Sequence, residues 1–169
     1  PLYVCISIIF FIAGASMSAI LFDLDGVLYE GDQAIPGAAD PVNWFIKNNT
    51  PHLFLPNTTS KSRSALVEKL TDFGIESSIE NFLTPPVAAQ QYLQKHNVSN
   101  IALFVPEVTA EEFSNFKLVA DQNITTNKHI DAVIIGDLGD QWAFNIMNNI
   151  FRLLIVNPQA KLIALGMTR

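Results

Sequence analysis

Short apolar runs with no polar alternation recur along the chain, and helical patterns separate them. The runs fall at residues 19–22, 51–55, 101–105, 132–136 and 161–166. A strand covered on both faces reads this way, because neither side can be left to water. Strands that alternate with helices pair in parallel, so the pattern predicts an α/β architecture and excludes hairpin-built sandwiches and plain helical bundles.

The intervening segments carry helix signals. Asp40 followed by Pro41 predicts an N-cap and first helical residue, with Val42, Phe45 and Ile46 facing a core. Thr59 or Ser60 is expected to cap a second helix whose inner face is Leu66, Val67, Leu70 and Phe73, closed by Gly74. Thr84-Pro85 opens a third helix, running to about His96. Thr109 and Glu112 have capping-box spacing, and Asp140 is expected to cap a helix over residues 141–156. Met147, Phe151 and Leu154 share one face of that helix and are expected in a core, as are Trp44 and Trp142. Gly31, Pro36 and Gly37 predict a loop.

Composition narrows the function. Of the 169 residues 49% are apolar, ample for a packed core. Ten Lys and Arg against sixteen Asp and Glu give a net charge of −6, with no basic stripe for nucleic acid. A single cysteine, Cys5, excludes an internal disulfide, and His52, His96 and His129 lack metal-ligand spacing. Residues 2–22 carry no charge, long enough for a membrane span. Because residues 19–22 are wanted as a strand, Met17 is read as the start and residues 1–16 as an upstream extension, a membrane anchor over residues 2–16 being the alternative.

The first apolar run stops at Asp23-Leu24-Asp25-Gly26. Two carboxylates just past a strand can converge on one hard cation such as magnesium. One carboxylate can attack phosphorus while a second moves the proton. A solvated turn is the plainer alternative. A calcium loop is excluded, since its sixth and twelfth positions would be Leu28 and Ala34. The second run ends in Pro56-Asn57-Thr58-Thr59-Ser60, whose amide, hydroxyls and backbone N–H groups suit a phosphate at a helix start.

The segment Ile20-Leu-Phe-Asp23-Leu-Asp25-Gly26-Val-Leu-Tyr-x-Gly31 resembles the first signature of the haloacid dehalogenase-like hydrolases, in particular the phosphatases with a large α/β cap inserted after the second signature. Ile35-Pro-Gly-Ala38 and Asn57-Thr-Thr-Ser-Lys-Ser-Arg63 extend the resemblance. It implies an α/β fold: a Rossmann-like parallel core, present here as its N-terminal half over residues 17–82, with an incomplete α/β cap over residues 83–169. It implies Asp23 as nucleophile and Mg2+ ligand, Asp25 as general acid/base with its backbone carbonyl as a second Mg2+ ligand, and Asn57 with Thr58 on the substrate phosphate. It further implies a small phosphorylated substrate, a homodimer formed through the cap, and a catalytic lysine and later acidic metal-binding signature beyond Arg169; separately, a cytoplasmic location is expected.

One departure stands out. The family carries Thr or Ser where this chain has Pro56, which offers neither hydroxyl nor N–H. A lost transition-state contact of that kind costs about 2.7–4 kcal/mol. A degenerate relative that binds a phosphate or a partner without turnover is therefore the alternative to a phosphatase.

Overall fold

The computed structural model describes residues 19–59, 61–119 and 129–166. The chain divides into two compact units. Of the described residues, one unit holds 19–57 and 62–84, and the other holds 58, 59, 61, 85–119 and 129–166.

In the first unit β1 (Ile20–Asp23) pairs in parallel with β4 (His52–Leu55), Asp23 standing opposite Leu55. Helix α1 (Ala39–Lys47) connects them. Between β1 and α1 lies a small antiparallel hairpin of β2 (Tyr29–Glu30) and β3 (Gln33–Ala34), where the sequence predicted only a loop. Helix α2 (Arg63–Asp72) follows β4. The core gathers Phe22, Leu24, Val42, Phe54, Leu66, Leu70 and Phe82, with Phe45, Ile46, Val67 and Phe73 packed against it. The inner faces expected of both helices are thus the faces they bury. Phe54, fully buried, lies between Phe22 and Phe82 at ring separations of 5.6 and 5.2 Å.

The second unit is built on a four-stranded parallel sheet in the order β6 (Lys117–Leu118), β5 (Asn100–Phe104), β7 (Ala132–Ile135), β8 (Lys161–Ala164). The central strand β7 reads Ala-Val-Ile-Ile because both its faces are covered. Alternate residues feed opposite layers. Ile101, Ala132 and Ile134 pack with Ala89 and Leu93 of α3 (Pro85–Lys95), while Ala102 and Val133 pack with Ile150, Leu153 and Leu154 of α5 (Phe144–Val156). A short helix α4 (Glu107–Ala110) follows β5. Parallel strands joined through helices make the architecture α/β, as expected.

Several local expectations fail for identifiable reasons. Asp40 is not a cap: α1 starts at Ala39 behind Ala38, whose N–H closes a turn onto the Ile35 carbonyl at 3.0 Å, so Asp40 sits in the first helical turn. Pro41 fits there because first-turn N–H groups have no helical partner to lose. Helix α2 is capped by Ser62, whose Oγ accepts the Ala65 N–H at 3.2 Å, and not by Thr59; Ser60 lies outside the described residues. Thr109 is inside α4 and its hydroxyl donates to the Thr59 carbonyl, so no capping box forms. Asp140 falls in a 3-10 turn over Gly139–Gln141, held by the Asp137 carboxylate on the Gly139 N–H at 2.9 Å. Extended backbone at Ala143 then delays α5 to Phe144. Met147 and Phe151 are not core residues. With Phe144 and Ile155 they form an exposed stripe on α5, and only Leu154 of the expected set packs inward. Trp44 and Trp142 are also exposed.

The expected extension over residues 1–16 lies outside the described residues. Among the described residues no helix is long and apolar enough to cross a membrane.

Candidate active site

The site grows out of the carboxyl edge of the β1–β4 pair, the edge at which open α/β sheets take ligands. Asp23 is the last residue of β1, and its Oδ1 accepts the N–H of Leu24 at 2.8 Å, which ties the carboxylate to the backbone. Leu24 is fully buried while Asp23 and Asp25 are exposed. The alternation of extended chain therefore carries on past the strand: the core takes Leu24 and leaves both carboxylates to solvent.

The chain then winds around one acceptor. The N–H groups of Val27, Leu28 and Tyr29 point to the Leu24 carbonyl at 3.3, 2.8 and 3.3 Å. The turn needs Gly26, whose φ of 76° is in the left-handed region. The Gly26 N–H donates to the Tyr29 carbonyl at 2.7 Å, and Asp25 forms a β-bridge with Tyr29. Tyr29 is buried in the core. Burial holds its phenol above the usual range; the ammonium of Lys69 pulls the other way, and the charges of Asp25 and Asp23 add to the rise. The two aspartates thus set a negative potential that reaches this ring.

On the neighbouring strand, Leu55 faces Asp23 in register, Pro56 is buried and Asn57 is exposed. Asn57 lies as far past β4 as Asp25 lies past β1, and paired strands run about 4.8 Å apart. Asp23, Asp25 and Asn57 therefore share one sheet edge. Thr58, the next residue, groups with the second unit. Residues 57–59 also precede α2 by several positions, so the expected helix-start phosphate site is a loop, and Ser62 serves the helix end instead.

Sequence reasoning missed Lys69. It is the basic residue of the last turn of α2, a position that the helix dipole alone explains. Its Nζ instead donates to the Gly31 carbonyl at 2.5 Å, in the turn of the β2–β3 hairpin.

Among the described residues no cluster of three or more His, Cys, Asp or Glu could hold a metal unaided. The exposed pair Asp23 and Asp25 does fit magnesium, which commonly takes one or two carboxylates and completes its shell with water and phosphate oxygens.

These features agree with comparisons to known proteins. The family model described as haloacid dehalogenase-like hydrolase matches residues 20–118, more than half of the chain. The human phospholysine phosphohistidine inorganic pyrophosphate phosphatase is 30% identical over 159 residues, covering 92% of this chain and 55% of its own. The mouse haloacid dehalogenase-like hydrolase domain-containing protein 2 is 29% identical over 157 residues, covering 93% and 56%. Among solved structures, the glycerol phosphate phosphatase of Mycobacterium tuberculosis in complex with magnesium superposes with a TM-score of 0.69 at 19% identity, over 89% of this chain and 44% of that one. The chain thus spans about half the length of the curated relatives it matches. By its first signature, its sheet edge and its family match together, the chain belongs to the haloacid dehalogenase-like hydrolases.

Proposed function

We propose that the intact protein carrying this chain is a magnesium-dependent phosphatase acting on a small phosphorylated substrate. The observation that carries the reading is the sheet edge itself, where two exposed carboxylates and an exposed amide follow aligned strand ends. In this reading residues 17–82 are the first half of a catalytic core and residues 83–169 an α/β cap.

Asp23 is the nucleophile. One carboxylate oxygen forms a bond to phosphorus as the bond to the leaving oxygen breaks, which gives an aspartyl-phosphate. Asp25 gives its proton to the leaving oxygen. It then takes a proton from water, which attacks phosphorus, releases inorganic phosphate and restores Asp23. Asn57 holds a phosphate oxygen through its side-chain N–H, and Thr58 is assigned to the same task. Asp23 through its carboxylate and Asp25 through its backbone carbonyl would hold a magnesium ion, which would offset the repulsion between carboxylate and phosphate.

Pro56 favours the second reading, a protein that binds phosphate without turnover. The two readings separate in one experiment. Hydrolysis of p-nitrophenyl phosphate and of small phosphate esters, phosphoamides and pyrophosphate is measured with magnesium and with a chelator, for the intact protein and its Asp23→Asn variant. Magnesium-dependent release of phosphate, abolished in Asp23→Asn, is the expected result. No release by the unaltered protein, with phosphate binding retained, overturns the phosphatase reading for the binding one.

A further inference from the structure

We infer that Lys69 is a positioning residue for Asp25: it fastens the β2–β3 hairpin, and the hairpin fixes the backbone on which Asp25 sits. The inference rests on the phosphatase reading and names a part of its machinery outside the sheet edge.

A lysine on an outer helix normally keeps its ammonium in water. The Lys69 side chain is only 14% exposed. Its Nζ lies 4.1 Å from the Tyr29 ring centroid and 5.8 Å from that of Phe73, donates to the Gly31 carbonyl at 2.5 Å, and meets Asp32 Oδ1 at 3.1 Å. Asp32 is 95% exposed, so that ion pair alone is weak. The carbonyl and the two ring faces make the anchorage directional.

The anchored element needs an anchor. The hairpin has two residues in each strand, and an isolated hairpin of that size is marginal in water. Lys69 grips both its turn, at Gly31 and Asp32, and its first strand, at Tyr29. Tyr29 is in turn joined to the residues that matter: its carbonyl accepts the Gly26 N–H at 2.7 Å, and it bridges Asp25. The path from ammonium to general acid is therefore two contacts long and lies within one unit. A proton donor tolerates little displacement, since a misplacement of about 1 Å can cost on the order of 100-fold in rate.

The test uses the intact protein with magnesium and p-nitrophenyl phosphate, and the variants Lys69→Met and Lys69→Arg. Methionine is unbranched and apolar and fills the same enclosed site. Lys69→Met is expected to lower kcat by about 10- to 100-fold with KM little changed. Amide exchange is expected to quicken at residues 26–34 and to stay slow in β1 and β4. Lys69→Arg, which keeps charge, donors and ring contact, is expected to restore most of kcat and the slow exchange. Wild-type kcat in Lys69→Met, unchanged exchange at residues 26–34, faster exchange throughout the unit, or failure of Lys69→Met to fold each overturns the inference. An unaltered protein without hydrolysis overturns the phosphatase reading and this inference with it. An active protein indifferent to Lys69→Met overturns this inference alone.

Discussion

Replacing Phe54 by alanine removes the ring on which the first unit is centred. Phe54 is fully buried, stacks on Phe22 at 5.6 Å, meets Phe82 at 5.2 Å and touches the edge of His52 at 5.6 Å. Truncating a buried phenylalanine costs about 3–5 kcal/mol. Each aromatic pair adds about 0.5–1.5 kcal/mol beyond its buried area. Three such neighbours place this site in the upper part of the range, about 4–5 kcal/mol. A typical domain holds only about 5–15 kcal/mol in total. At about 2–4 °C per kcal/mol for a chain of this size, the unfolding midpoint should fall by about 8–20 °C. Trp44→Ala is the control. Trp44 is 59% exposed and, among the described residues, meets the Phe45 ring at 5.0 Å, so its loss should stay within about 0.5–1.5 kcal/mol. Thermal and urea unfolding of the two variants, followed by circular dichroism, makes the comparison. Equal shifts for Phe54→Ala and Trp44→Ala would refute the account of the core given above.

Three further outcomes follow from single contacts. Ser62→Ala removes the only side-chain cap described for α2 and should cost about 1 kcal/mol in urea unfolding. Pro56→Thr supplies a hydroxyl and an N–H at the tip of β4, and if Pro56 is what weakens the phosphate turn, kcat should rise, by up to about 10²–10³-fold; an unchanged rate removes Pro56 as the cause. Asp131 tests acid stability: burial pushes its carboxyl up, but the N–H groups of Asn100 and Ser99 and the neighbouring His129 outweigh this and hold it below the ordinary range. A depressed carboxyl contributes stability above its unfolded value of about 3.9 and loses it as pH falls through its folded value, so Asp131→Asn should flatten the loss of stability below about pH 4; a variant as acid-sensitive as the parent would sink that assignment.

The central strand β7, Ala-Val-Ile-Ile, was legible because double burial leaves an unbroken apolar run; β8 is largely exposed in spite of its apolar run, and the two-residue strands β2, β3 and β6 carry no such run. The pair Asp23 and Asp25 was legible because they end such a run. Helix ends were not, because a cap is a competition among nearby oxygens: Ser62 displaced Thr59 at α2, and Asp137 built a turn that took Asp140 away from α5. The spacing of Met147 and Phe151 identified a shared helix face and said nothing of which way it turns. The grip of Lys69 was illegible for another reason. It joins residues 37 and 38 positions apart in sequence, Asp32 and Gly31, and no local pattern encodes such a meeting.

The flush ends of β1 and β4 have an evolutionary corollary. Side chains alternate along a strand, so sliding β1 by one residue against β4 would turn Phe22 outward and drive Asp23 into the core. The packing that hides two phenylalanines is thus also the ruler that sets Asp25 level with Asn57. Substitutions inside either strand can drift as long as volume is kept, but a one-residue insertion or deletion there would break the fold and the site in the same event. The length of these two segments is therefore expected to be more constant among relatives than their composition.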